Sequence, residues 1–193
     1  MSFFGKILLA SGSPRRFTLL TEAGFEVEKL TSREVDETYP TDLPHEEIPV
    51  YLSRLKALVY DDVCQQHGLP LVAADTLVLL DGEPIGKPHG MDEAKEMLGH
   101  LSGNTHTVIT GVTLLRPDGR EVSFSEYTDV TFGKLSSREI HYYIENYRPL
   151  DKAGSYGIQE WIGLIGVEKI DGDFYNIMGF PVHRFLQIFN SDV

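Results

Sequence analysis

The chain has 193 residues with 29 acidic and 17 basic side chains, which gives a formal net charge of -12 at neutral pH. This acidic balance excludes a general nucleic-acid-binding protein, because a phosphate backbone requires a basic protein surface. Hydrophobic residues make up 41% of the sequence, yet no apolar run reaches the roughly 20 residues of a membrane span, so we expect a folded, soluble, cytoplasmic protein without a membrane or nucleic-acid partner.

The first part of the chain alternates between strands and helices. Apolar runs and helical periodicity predict these elements in the order strand 6–10, helix 15–23, strand 25–30 and helix 51–63. Ser13 is a favourable N-cap, and Pro14 suits the first helical position because its missing N–H group would be unpaired there. Gly24 and Gly68 are placed to end the two helices. A polar connection over 31–44 separates the second strand from the second helix, and connections of that length often carry function.

The rest of the chain predicts further strands around a long hairpin. The elements follow in the order strand 69–74 with an extension over 76–80, helix 92–101, hairpin strands 106–115 and 121–134, a helix through 147, strand 162–170 and a last helix from Pro181. Ser136 and Glu139 have the spacing of a capping box. Strand-helix units followed by a hairpin predict an α/β protein with a mixed sheet.

The loop between the first strand and the first helix is a candidate phosphate site. Free backbone N–H groups and the positive end of a helix dipole attract anions. Gly12 lets the main chain come close, and Arg15 and Arg16 add charged donors. Small residues before a proline-started helix are common, however, and arginines often lie on solvated faces. On these residues alone both interpretations stay open.

Carboxylates at two places are candidate catalytic or metal-binding groups. Asp75 directly follows an apolar strand, and a carboxylate at a strand end that opens into a cleft binds a metal or takes up a proton. The alternative is an aspartate that caps the next turn. Asp36 and Glu37 lie on the polar connection, where acids are usually solvated. Since Mg²⁺ takes one or two protein carboxylates plus water and phosphate oxygens, Asp75 and Glu37 would suffice for it.

Lysines and the residues of known motifs narrow the chemistry further. Lys87 stands between Gly86 and Pro88, and the proline restrains its backbone. Lys56 lies on the predicted helix 51–63, where an exposed lysine is the ordinary interpretation. Cys64, the only cysteine, is interpreted as a packed residue. The histidines lack metal-ligand spacing, and there is no Walker loop, dinucleotide fingerprint or nucleophile elbow. Metal-assisted attack by water, or simple binding, remains.

Short motifs occur over nearly the whole chain. They are Ala10-Ser11-Gly12-Ser13-Pro14-Arg15-Arg16, Asp36-Glu37, Lys56-Ala57, Ala74-Asp75-Thr76, Gly86-Lys87-Pro88, Leu101-Ser102-Gly103, Thr110-Gly111-Val112, Lys152 to Gln159, Gly172-Asp173 with Asn176, and Gly179-Phe180-Pro181. Together and in this order they resemble the Maf family of nucleoside triphosphate pyrophosphatases. The resemblance implies one domain over 1–193, with a mixed twisted sheet flanked by helices and two closely packed lobes around a central cleft.

The resemblance also implies an activity and roles for individual residues. The implied reaction is hydrolysis of a nucleoside triphosphate between its α- and β-phosphates, with release of pyrophosphate. Asp75 would activate water, and Asp75 and Glu37 would hold a divalent metal cation, with Mg²⁺ first and Mn²⁺ or Co²⁺ as alternatives. The residues implied to line the phosphates and the metal are Ser11, Arg15, Arg16, Lys56 and Lys87. A homodimer is implied as well.

The substrate implied by the resemblance is a pyrimidine nucleoside triphosphate. Branches of the family that act on dTTP and UTP carry the residue types found here at Arg15, Thr76 and Gln159. A glutamine amide both donates and accepts, and so pairs with the edge of thymine or uracil. Modified pyrimidine nucleotides would extend this to cleansing of the nucleotide pool. The alternatives are an enzyme that prefers 7-methyl-GTP or a purine, and a non-catalytic nucleotide-binding regulator of cell division.

Overall fold

In a computed structural model, which describes residues 2–191, seven strands form one mixed sheet. The strands are β1 Lys6–Leu9, β2 Glu26–Lys29, β3 Leu71–Leu80, β4 Glu83–Ile85, β5 Thr105–Leu115, β6 Glu121–Phe132 and β7 Val167–Asp171. Their order is β2-β1-β3-β5-β6-β7, and β4 pairs with β3. Strand β1 is parallel to β2 and β3, whereas β4 is antiparallel to β3 and β7 to β6. The mixed sheet of an α/β protein, predicted from the order of the elements, is confirmed.

Four helices, which start at Pro14, Met91, Ser137 and Val182, begin within one residue of the positions predicted from the sequence. The helices are α1 Pro14–Glu22, α2 Ile48–Leu58, α3 Asp61–His67, α4 Met91–Leu101, α5 Ser137–Tyr147, α6 Trp161–Gly166, α7 Phe174–Ile177 and α8 Val182–Ser191. The Ser13 side chain caps α1 by accepting from the Arg16 backbone N–H. Both hydrogen bonds of the capping box between Ser136 and Glu139 are formed. Within residues 2–191, none of these helices combines the length and apolar character needed to cross a membrane.

The prediction of one continuous helix over 51–63 and onward to Gly68 is wrong. Helix α2 ends at Leu58 and α3 begins at Asp61, and the Tyr60 backbone between them is not helical. The Tyr60 ring is buried, and its hydroxyl donates to the Thr31 carbonyl and accepts from the Arg33 backbone N–H. The helix therefore breaks where Tyr60 fastens the start of the polar connection.

The predicted strand over 162–170 is a helix in its first half. Helix α6 ends at Gly166, and only the remainder forms β7. A Cβ on Gly163 would overlap the carbonyl group of Ile158, so this turn of the chain closes only with glycine. Leu164 is 83% exposed. An apolar run that would suit a buried strand thus forms a short helix with part of its apolar surface in solvent.

Asp75 does not stand at the tip of its strand. Strand β3 continues through it to Leu80, which confirms the extension predicted over 76–80. The strand is buried from Leu71 to Ala74, becomes partly exposed at Asp75, Thr76 and Leu77, and is buried again at Val78. The Asp75 carboxylate therefore reaches solvent from the middle of a long strand, where the strand is partly exposed, and not from the end of the strand.

The chain divides into two compact units. The first unit consists of Met1–Asp75, Thr110–Glu126 and Gly179–Val193, and the second consists of Thr76–Ile109 and Tyr127–Met178. The single domain over 1–193 stays a prediction. In the first unit, Phe25, Phe185 and Phe189 pack against one another.

Cys64 is fully buried, and burial raises the pKa of its thiol, so its interpretation as a packed residue is confirmed.

The second unit has its own core between α4, α5 and the strands. Its fully or nearly buried members include Leu98, Phe132, Tyr143 and Ile162. Within the same unit, the Gly154 backbone N–H donates to the Gly86 carbonyl across 3.1 Å. The turn around Lys87 is thereby fastened to the glycine-rich segment that leads to Gln159.

Candidate active site

The parallel pairing of β1 with β3 brings the loop after β1 close to the part of β3 that carries Asp75. Leu9 lies opposite Val72, and the Ala10 N–H donates to the Val72 carbonyl across 2.9 Å. Ser11 follows β1, while Asp75 lies just beyond Val72 on β3. Because β1 and β3 are parallel and paired in this register, the loop that follows β1 lies beside the middle of β3, where Asp75 stands.

Lys56 joins the two predicted metal-binding carboxylates. Its Nζ atom lies 2.6 Å from Asp75 Oδ1 and 3.1 Å from Glu37 Oε2. The side chain is only 18% exposed, so the interpretation of Lys56 as an exposed helical lysine is wrong. Lys56 lies in the last turn of α2, where the negative end of the helix dipole favours a cation.

The polar connection over 31–44 is held so that Glu37 reaches this place. The Arg33 guanidinium donates to the Val59 carbonyl and pairs with both oxygens of the Asp62 carboxylate. Arg33 also lies over the ring of Tyr60, which binds the connection's backbone. These contacts fix the first residues of the connection against the break between α2 and α3, and they limit where Glu37 lies.

Arg16 braces the candidate phosphate loop. Its Nη1 atom donates to the Ala74 carbonyl at 2.7 Å and to Ser11 Oγ at 3.1 Å, and its Nε atom donates to the Gly179 carbonyl at 2.9 Å. Burial lowers the pKa of the guanidinium, and the Asp75 charge opposes this shift. An arginine still stays cationic. Arg16 therefore ties the loop, the residue before Asp75 and the Gly179 turn together.

The start of α1 has the form expected of an anion site. Ser11 Oγ accepts from the Ser13 backbone N–H at 3.2 Å, which folds the loop back on itself. Gly12 is exposed, and a Cβ there would meet no atom within 4 Å, so space above it is open. Arg15 follows in the first turn of the helix, and its charge contributes to the lowered pKa of Arg16. Two positive charges thus lie beside the loop.

A divalent cation fits the donor set of this group. Lys56 contacts one oxygen of the Asp75 carboxylate and one oxygen of the Glu37 carboxylate. Among residues 2–191, no group of three or more His, Cys, Asp and Glu side chains is arranged to hold a metal. The protein therefore offers a pair of carboxylates rather than a closed cage. This is the donor set of a hard cation that completes its shell with water and phosphate oxygens.

The other predicted site residues belong to the second unit. Thr76 is partly exposed on β3, whereas Lys87 and Gln159 are exposed on connections. The hydrogen bond between Gly154 and Gly86 joins the segments that carry Lys87 and Gln159. Structure thus groups Ser11, Arg16, Glu37, Lys56 and Asp75 in one unit and Lys87 with Gln159 in the other, and a shared role for the two groups stays a prediction.

Sequence reasoning missed a charged network beside Gln159. Lys152 Nζ lies 3.2 Å from Glu160 Oε1, and the Tyr143 hydroxyl donates to Glu160 Oε2. The Lys152 and Glu160 side chains are 10% and 19% exposed. A signal was present in the sequence, because these two charges flank an otherwise apolar and glycine-rich segment, but nothing in it names their partner on α5.

The comparisons with known proteins agree with the motifs. The sequence model of the family described as Maf-like protein matches residues 6–191. The chain is 53% identical over 179 residues to a dTTP/UTP pyrophosphatase of Phocaeicola vulgatus, with 93% of this chain and 92% of that protein covered. It is 50% identical over 179 residues to a dTTP/UTP pyrophosphatase of Bacteroides thetaiotaomicron, with the same coverage.

Among solved structures, the Ham1 protein of Staphylococcus aureus has the same fold. The match has a TM-score of 0.51 at 17% identity and covers 97% of this chain and 98% of that one. At that identity the likeness concerns the fold alone. The family match over nearly the whole chain, together with relatives that are half identical to it, leads to one conclusion: the chain belongs to the Maf-like protein family.

Proposed function

We propose that the protein is a nucleotide pyrophosphatase that hydrolyses dTTP and UTP to the monophosphate and pyrophosphate. The observation that carries the proposal is the Lys56 ammonium between Asp75 and Glu37, next to the Arg16-braced loop at the start of α1. Carboxylates can hold a metal and an open helix N-terminus can hold a phosphate, and both favour hydrolysis of a triphosphate. Relatives about half identical to this chain bear the corresponding name.

In the proposed reaction Asp75 accepts a proton from water, and the resulting hydroxide attacks the α-phosphorus. The bond between that phosphorus and the bridging oxygen breaks, and pyrophosphate leaves. Lys56 holds one carboxylate oxygen of Asp75 at 2.6 Å and so fixes the orientation of the base. Arg15 and Lys87 would neutralise charge on the phosphates, while Arg16 holds the loop and the Ala74 carbonyl in place.

Asp75 and Glu37 would hold the divalent cation, Mg²⁺ first with Mn²⁺ or Co²⁺ as alternatives. The cation, when bound, would offset negative charge on the triphosphate and favour departure of pyrophosphate. For the base, Arg15, Thr76 and Gln159 are proposed to select thymine and uracil, because the exposed Gln159 amide both donates and accepts. A homodimer and a cytoplasmic location are part of the same proposal.

Release of pyrophosphate by the purified protein tests the activity. The substrates are dTTP, UTP, CTP, ATP, GTP and 7-methyl-GTP, each with Mg²⁺, Mn²⁺ or Co²⁺, and the products are identified by chromatography. We expect turnover of dTTP and UTP above the others. Nucleotide binding without turnover under every metal would instead support a regulator, and preference for 7-methyl-GTP would support the related enzyme.

Substitution of the base tests the mechanism. Asp75→Asn keeps the size and polarity of the side chain but cannot take up the proton, so we expect kcat to fall by at least about 100-fold. Binding of dTTP, measured by calorimetry, should persist. Asp92→Asn is the matched control, because that carboxylate is 96% exposed on α4 and should leave kcat unchanged. Full activity of Asp75→Asn would discard Asp75 as the base.

A further inference from the structure

Gln159 stands on a short stretch that one buried side chain holds at both ends. The Gly157 backbone N–H donates to Tyr143 Oη across 3.0 Å. The Tyr143 hydroxyl in turn donates to the Glu160 carboxylate. The Tyr143 hydroxyl on α5 therefore bonds both Gly157, two positions before Gln159, and Glu160, directly after it. Gln159 itself is exposed and borders an open surface groove of the second unit.

The second anchor of the stretch is a buried charge. Lys152 Nζ lies 3.2 Å from Glu160 Oε1 and 2.8 Å from Asp151 Oδ1. Taking a lysine and a glutamate out of water is costly unless hydrogen bonds complete the pair, and an apolar pair of similar size is often as stable. The Tyr143 hydroxyl supplies that completing bond. Burial and the Glu160 carboxylate both raise the pKa of Tyr143, so the phenol stays a donor.

Glycines let the backbone close around these contacts. A Cβ on Gly157 would lie 2.8 Å from the carboxyl carbon of Glu160, so only glycine leaves room for the carboxylate to fold back over the chain. A Cβ on Gly163 would overlap the Ile158 carbonyl, which fixes the start of α6 against the same stretch. The stretch is thus constrained by hydrogen bonds, by a buried ion pair and by close backbone packing.

We propose that Tyr143, Glu160 and Lys152 are positioning residues that hold the backbone of Gln159 in one place, so that its amide meets the base in one orientation and sets the preference for thymine and uracil over cytosine. The inference rests on the proposed function. Thymine and uracil present a carbonyl oxygen and a ring N–H where cytosine presents an amino group and a ring acceptor, so an amide discriminates only if its donor and acceptor stay in register. A loosened stretch lets the backbone of Gln159 shift, so that the amide reaches the base in more than one way and pairs with either base, which lowers discrimination rather than overall turnover.

The test compares two substitutions that each remove one buried phenol hydroxyl. Tyr143→Phe keeps the ring in the core and deletes only the bonds to Gly157 and Glu160. Tyr156→Phe, the matched control, deletes a hydroxyl that bonds His106 at 2.7 Å. The readout is the ratio of kcat/KM for dTTP to kcat/KM for CTP. We expect Tyr143→Phe to lower this ratio by about tenfold, and Tyr156→Phe to leave it within about twofold even where the melting temperature falls.

A double substitution asks whether the effect passes through Gln159. Gln159→Ala should lower the ratio by at least as much as Tyr143→Phe, and the combined variant should lower it no further. Glu160→Gln, which keeps an acceptor but removes the charge next to Lys152, serves as the second variant and should lower the ratio as well. An unchanged ratio in both Tyr143→Phe and Glu160→Gln overturns the inference, as does an equal loss in Tyr156→Phe.

The inference and the proposed function fail separately. Absence of pyrophosphate release by the wild type from dTTP and UTP rejects the function alone. In that case the ratio of the Kd values for CTP and dTTP, measured by calorimetry in an Asp75→Asn background, reports the same discrimination without hydrolysis. A ratio that falls about tenfold with Tyr143→Phe supports the positioning role, and a ratio that stays unchanged rejects it.

Discussion

Mild acid should destabilise the protein through His106. Its side chain is 1% exposed, with Nε2 at 2.7 Å from Tyr156 Oη, while Nδ1 has no hydrogen-bond partner among residues 2–191. The imidazole packs against the rings of Phe132 and Tyr156. Burial lowers its pKa from the ordinary 6.5 to about 4, and the Asp129 charge opposes this only in part. The histidine is therefore neutral in the folded protein across the physiological range.

The sign and size of the effect follow from these two pKa values. Because the pKa in the folded protein is the lower one, the unfolded chain takes up the proton first as the pH falls. The stability is fully present above 6.5 and is lost between that value and about 4. The complete loss amounts to about 3 kcal/mol, and at about pH 5 some two thirds of it, about 2 kcal/mol, should be gone.

Urea unfolding at about pH 7.5 and about pH 5 measures this loss, with His106→Gln as the variant that cannot titrate. For each protein we compare the free energy of unfolding at the two pH values and take the loss on acidification. The decisive quantity is this loss in the wild type minus the loss in His106→Gln, because the subtraction cancels any cost of the substitution that does not depend on pH. His183→Gln, at an exposed position on α8, is the control and should behave as the wild type. Equal losses in the wild type and His106→Gln would refute the reasoning.

Two further predictions concern Arg16 and Gly111. Arg16→Lys keeps the charge but not the fork that reaches Ala74 and Gly179, so steady-state kinetics with dTTP should show kcat lowered by about tenfold or more, the equivalent of one charge-assisted hydrogen bond. A rise in KM with unchanged kcat would contradict the bracing role. In Gly111→Ala, the new Cβ would overlap the backbone atoms of Pro49 and Val50 in α2. Urea unfolding should therefore show a loss of about 3 kcal/mol in the free energy of unfolding. Gly99→Ala, where a Cβ on the exposed face of α4 meets nothing within 4 Å, should instead stabilise the protein by about 0.5–1 kcal/mol.

Elements whose signals are local could be predicted from the sequence. The start of α1 needs only Ser13 and Pro14, and the start of α5 needs only Ser136 and Glu139, because each cap bonds residues within its own first turn. The order of the predicted elements, strand-helix units followed by a hairpin, likewise predicted the mixed sheet. These features depend on neighbours a few residues away, which the sequence displays directly.

Elements that depend on distant contacts could not be predicted in this way. The break between α2 and α3 follows from the Tyr60 hydroxyl, which bonds a carbonyl 29 positions earlier in the chain. Helix α6 forms where Gly163 meets the Ile158 carbonyl, and periodicity does not distinguish a short apolar helix from a strand. Both errors arise because tertiary contacts override local preference.

The same distinction holds for the site. Asp75 was visible as a carboxylate directly after an apolar run, where an acid needs a reason. Glu37 stood on a polar connection, where acids are usually solvated, and became a candidate only as a second carboxylate for a metal. Lys56 was not visible in this way, because its role comes from partners on β3 and on the polar connection, and Asp75 lies 19 positions away. Tyr143 is the extreme case, since its hydroxyl contacts Gly157 and Glu160 from a helix that the sequence treats as ordinary.

The two adjacent arginines of the N-terminal loop illustrate how geometry divides a motif into different tasks. Sequence reasoning gives Arg15 and Arg16 the same role, as donors to phosphate. In the structure the Arg16 guanidinium donates to Ala74, Ser11 and Gly179, so much of its fork is committed to protein oxygens. Its charge would still act on a phosphate bound at short range, because the Arg16 side chain is partly withdrawn from water. We therefore expect Arg16 to contribute its electric field and to hold the loop rigid, and we expect the direct contact with phosphate to fall to Arg15 and to the backbone N–H groups around Gly12.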